Sequence, residues 1–195
     1  LLDKIAPAEN NYNQEGSVRA SLYAFIGYSS GVAVRLANMN GDKYADIILG
    51  PGTGAGTVTA SHLRVWDGQL SMAQFENGVP FSSYNYKEWE LASFWAFGSD
   101  DAPGGGLSLS IIHQADRDWI VASQLFGPGI KTFSYQAGLN GMLHLEQDLT
   151  GWANPIGNTT VILDTLGGQR LYVNGGFSPT SPDSVFVRDK DQKLI

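Results

Sequence analysis

A chain of 195 residues, 43% hydrophobic and 16% charged, has the size of one domain and enough apolar material for a substantial core. Its net charge of −7 argues against a nucleic-acid partner, which needs a basic footprint, and is compatible with cation binding. The lack of cysteine excludes disulfides and thiolate metal sites, and no apolar run approaches the ~20 residues that span a bilayer.

Twenty-four glycines, eight prolines and 11% aromatic residues predict an all-β chain of short strands and many turns. The first strand signal is Ser21–Tyr28, within an outer strand expected over 17–28. Gly31–Ala37 follows, then a polar loop, then Asp46–Gly52 and Leu63–Gly68. Leu70–Phe75 has a helical pattern that is too short to predict a helix. Residues 77–89 form a loop insertion rich in Tyr, Ser and Asn, and Glu90–Phe97 is a fourth strand.

The pattern then repeats with uneven spacing. Gly106–Ile112 and Thr159–Asp164 line up with the first strand, and Ala122–Gly129 and Arg170–Gly176 with the second. Ile130–Tyr135 and Ser184–Asp189 line up with the third, and Met142–Gln147 with the fourth. The expected organisation is one domain over 1–195, with units at 31–98, 106–151 and 158–195. The third unit stops short of a fourth strand. The chain begins at Leu1 without Met or a signal-peptide pattern, so a processed product or part of something longer is expected.

The loop between the first two strands carries the chemistry. Asn38, Asn40, Asp42 and Asp46 put oxygen-bearing side chains at its first, third, fifth and ninth positions, and Gly41 permits a sharp turn. A hard cation wants roughly six to eight oxygens at about 2.3–2.6 Å, and such a loop can wrap it, with the carbonyl of Tyr44 as a backbone ligand. The bland reading is a polar turn with no ion, because Asn, Asp and Gly dominate turns anyway. An apolar β-type run follows in place of an amphipathic helix, so the cation would pin a turn between two strands.

With its flanks, residues 31–68, this loop resembles the FG-GAP/VCBS-type repeat of calcium-binding β-propellers. The resembling residues are Gly31–Val34, the loop, Ile47–Gly54 and Leu63–Gly68. The family usually opens the loop with Asp; Asn38 brings one less negative charge and implies weaker binding. The resemblance implies a propeller-like fold of about three four-stranded antiparallel blades and structural Ca2+ held by Asn38, Asn40, Asp42, Tyr44 and Asp46. It also implies a secreted, periplasmic or cell-surface location. Propellers typically have four to eight blades, so three imply a longer chain, a homo-oligomer or a larger assembly.

The implied function is a non-enzymatic module for adhesion, ligand binding or assembly, with a protein or glycan partner. The alternatives are a carbohydrate-binding or carbohydrate-active propeller and a structural subunit of a surface assembly. His113–Asp118 and Asp164–Gln169, the counterparts of the cation loop, make poor cages. Asp100 and Asp101 read as a solvated turn unless a carboxylate partner exists. His62, His113 and His144 lack metal-ligand spacing, and no nucleophile motif or phosphate cradle is present. Trp66 and Trp95 fit packing positions. Tyr84, Tyr86 and Trp89, in or beside the 77–89 insertion, are the expected ligand or partner surface.

Overall fold

A computed structural model describes residues 24–25, 31–52, 61–76, 86–98, 106–125, 129–148, 159–164, 170–178 and 181–188. Three antiparallel sheets follow one another along the chain. The first contains β1 (Val32–Ala37), β2 (Asp46–Pro51), β3 (His62–Trp66) and β4 (Glu90–Trp95), in that order across the sheet. Between β3 and β4 lie the helices α1 (Gly68–Glu76) and α2 (Tyr86–Trp89). The second sheet is β5 (Leu107–Ile112), β6 (Trp119–Gln124), β7 (Ile130–Ser134) and β8 (His144–Asp148). The third is β9 (Thr159–Asp164), β10 (Arg170–Ser178) and β11 (Ser181–Arg188). β1 runs against β5, and β5 against β9, so successive sheets meet through their first strands.

The all-β expectation holds, with two four-stranded sheets and one three-stranded sheet among the described residues. Strand alternation explains the packing. On β3, Leu63 and Val65 are fully buried and join the main core, while Trp66 joins a separate cluster with Phe25 and Leu49. The main core lies between the first two sheets: Ile48, Leu63, Val65 and Phe94 from one meet Leu107, Leu109, Ile120 and Phe133 from the other. Phe94 and Phe133 meet edge to face, 5.3 Å apart, the geometry that aromatic quadrupoles favour. The β7–β8 connection also reaches across, with the Ser93 amide on β4 donating to the Gly141 carbonyl at 2.7 Å.

Two sequence expectations change here. Residues 68–76 are helical, because Asp67 caps them: its Oδ1 accepts from the Leu70 amide at 2.8 Å. The counterpart of β2 in the second sheet is Trp119–Gln124, not Ala122–Gly129. Pairing of Ile47 with Trp66 and of Trp119 with Ser134 fixes that register. Of the outer strand expected at 17–28, only Ala24 and Phe25 are described, and they form a bend, with Phe25 packed on Leu49 and Trp66.

Candidate metal centre

The loop joining β1 to β2 is held together by its own side chains. Asn38 Oδ1 accepts from the Gly41 amide at 2.9 Å, and Asn38 Nδ2 donates to the Asp42 carbonyl. Asn40 Oδ1 accepts from the Asp42 amide at 3.0 Å, and Asp42 Oδ1 accepts from the Tyr44 amide at 2.6 Å. These are the short-range side-chain-to-backbone bonds by which Asn and Asp shape turns. Gly41 adopts φ of 82°, the left-handed conformation expected of the glycine at this turn.

Asp46 plays a different part. It is fully buried at the start of β2, and its Oδ2 accepts from the amides of Met39 at 2.8 Å and Asn40 at 3.3 Å. Its Oδ1 accepts from the Gly68 amide at 2.9 Å. One carboxylate thus ties the loop, the second strand and the first turn of α1 together. Burial pushes its carboxyl above the usual carboxylate value, the three amides pull it back, and the nearby Asp67 charge adds to the upward push. Gly68 is required at this joint, since a Cβ there would lie 2.0 Å from the Ala45 carbonyl oxygen.

Asp67 is a member of the cluster that sequence spacing did not single out. Its Oδ2 accepts from Asn40 Nδ2 at 3.2 Å, and Asp42 Oδ2 accepts from the same nitrogen at 3.2 Å. Two carboxylates from segments 25 residues apart therefore meet on one amide. The Asp67-Gly68 pair at the end of β3 was the available signal, but only pairing of β2 with β3 brings it to the loop.

The expected ligand residues Asn38, Asn40, Asp42, Tyr44 and Asp46 all belong to this one hydrogen-bonded corner. Among the described residues, no three His, Asp or Glu side chains converge as a metal-holding group. The side-chain acceptors of the corner are carboxylate and amide oxygens, the donor type that hard cations take. The Asn38 and Asn40 oxygens each accept one loop amide and Asp46 Oδ1 accepts the first amide of α1, and each retains a second lone pair.

The expected partner surface is corrected at Trp89. Trp89 is fully buried and stacks on Trp66, with centroids 5.8 Å apart and planes 11° from parallel. Burial of two indoles against β3 outweighs the polar composition of the preceding segment. Tyr84 lies outside the described residues, and Tyr86 opens α2. Asp100 and Asp101 also lie outside them. Trp66 is buried as expected, whereas Trp95 is 43% exposed and stacks on His62 at 5.1 Å. The three histidines are dispersed in their contacts: His62 bonds Ser93, His113 bonds Asp118, and His144 stands at the start of β8.

Compared with protein-family models, curated proteins and solved structures, the chain has no match in any of the three. No helix among the described residues is long and apolar enough to cross a membrane.

Proposed function

We propose that this chain is a non-enzymatic, calcium-stabilised propeller-type module of an exported or surface protein, a scaffold for adhesion, ligand binding or assembly. The observation that carries the reading is the Asn38–Asp46 corner, where oxygen side chains at alternate positions fold into one loop against a buried carboxylate. Asn38, Asn40, Asp42 and the Tyr44 carbonyl would hold the ion, with Asp46 completing the set. Bound calcium would supply positive charge and cross-links between oxygens, and no reaction. The succession of antiparallel sheets meeting through β1, β5 and β9 supports a radially repeated architecture.

Asn38 in place of an acid suits a weak site, with Kd of roughly 10⁻⁴–10⁻³ M, loaded at extracellular but not cytosolic calcium. At 10 Kd of calcium, stabilisation should be about 1.4 kcal/mol, which corresponds to a rise in Tm of about 3–5 °C over the EGTA value. Asp42→Ala should erase that difference while retaining the fold by circular dichroism. A melting temperature identical with calcium and with EGTA in the unaltered protein would sink the calcium reading.

A further inference from the structure

The first strand of the first sheet leaves open an apolar row whose counterpart in the second sheet is covered. Val32, Val34 and Leu36 alternate along β1 with Ala33 and Ala37, which lie at the main core, so these three turn to the opposite face. Val32 packs beside Phe25, Leu49 and Trp66, but Val34 is 46% exposed and Leu36 61%. Trp95, on β4, adds another exposed apolar side chain to that face: it pairs with and stacks on His62, which Phe25 also meets.

The repeat shows what covers such a row. With Gly106 aligned on Gly31, Leu107, Leu109 and Ile111 of β5 take the places of Val32, Val34 and Leu36. Leu107 and Leu109 are each 1% exposed, because they lie against β2 of the preceding sheet. The seat is Gly50: a Cβ there would come within 3.1 Å of Leu107 Cβ and 3.3 Å of Leu109 Cδ1. A first-strand row is thus covered by the second strand of another sheet, at a residue without a side chain.

β10, the second strand of the third sheet, carries a glycine at the same end. Gly175 pairs with Thr159 at the start of β9, as Gly50 pairs with Ala33 near the start of β1. We infer that Val34 and Leu36 dock on β10 of a second copy of this chain, head to tail, so that each copy covers the other's open row. The joint repeats the step that already carries the first sheet to the second and the second to the third. A head-to-tail contact closes when the rotation allows, and two copies of three sheets fall within the roughly four to eight units of a closed propeller. The joint rests on the repeated architecture proposed above and not on calcium at Asn38–Asp46.

The test is sedimentation velocity on the whole chain from about 1 to 100 µM, with hydrogen exchange measured at both ends of that range. A dimer with Kd of about 10 µM or tighter is expected whether or not calcium raises the melting temperature, so the two readings fail separately. Leu36→Asp changes an exposed side chain and should leave the circular dichroism spectrum as it is. In the dimer it buries an unpaired carboxylate, and it should weaken association at least tenfold. Leu145→Asp, at an exposed position on β8 of the second sheet, should leave association unchanged. Dimer formation should slow exchange in both β1 and β10. A chain that stays monomeric at about 100 µM, or a Leu36→Asp variant that dimerises as the unaltered protein does, would overturn the proposal. So would an equal loss in Leu145→Asp, or protection of β1 without β10, which would mean that two β1 faces meet each other.

Discussion

Two corners of this protein start from the same plan and use one carboxylate differently. In the first sheet, the β1–β2 corner places Asp46 just before the residue that pairs with Trp66; in the second, Asp118 stands just before the residue that pairs with Ser134. Asp46 points its oxygens inward, to Met39, Asn40 and Gly68. Asp118 points across to the other sheet, where its Oδ2 accepts from the Asn38 amide at 2.8 Å and its own amide donates to the Asn38 carbonyl at 2.7 Å. The longer loop has enough backbone to wrap its own acid. The shorter one does not, and its acid becomes a tie between sheets that braces the first residue of the candidate cation loop.

The inward tie should matter most. Asp46→Ala strands three backbone N–H groups in a buried site and should cost about 3–5 kcal/mol, read as a large fall in Tm in EGTA so that no ion contributes. A loss below about 1 kcal/mol would mean that the amides reach water and that the corner is looser than its hydrogen bonds imply. Asp118→Ala removes one amide acceptor between the sheets and should cost about 1–2 kcal/mol, with Asn38 the first amide to lose hydrogen-exchange protection. His113 also touches Asp118, at 3.0 Å, but its side chain is 80% exposed. His113→Ala should therefore change stability by less than about 0.5 kcal/mol, and a larger loss would show that the ring orients the tie.

A smaller contrast concerns acid. His62, on β3, lies between Phe25 and Trp95, and burial holds its pKa below the ordinary histidine value; the Arg64 charge adds to that, and Glu90 partly opposes it. The unfolded chain then binds the proton more readily than the folded one. Stability from this group is complete above about pH 6.5 and falls as the pH drops through the lowered folded value. Urea titrations from pH 7 to pH 5 should show a shallower loss in His62→Gln than in the unaltered protein, and parallel slopes would remove His62 from the acid response.

Much of the fold was legible because strands announce themselves locally. Val32–Ala37, Asp46–Pro51 and Leu107–Ile112 are short runs of apolar residues bounded by turn residues, and all three are strands. Positions on the wrong side of a long connection were not legible. Trp89 follows a polar segment and read as surface, yet it is buried on Trp66, 23 positions earlier in the chain. Asp67 read as part of a strand-ending Asp-Gly, and its approach to Asn40 depends on β2 pairing with β3.

By itself the sequence determined the all-β character and the sharp polar turn at Asn38–Asp46, because side-chain alternation and the preferences of Gly and Asn act within a few residues. The tertiary structure decided where each carboxylate's hydrogen bonds go. It also decided that Trp66, opposite Ile47, is buried against Trp89, while Ser134 stands opposite Trp119. Both outcomes depend on which strands become neighbours, and strand pairing is set by burial between sheets, which no single segment encodes.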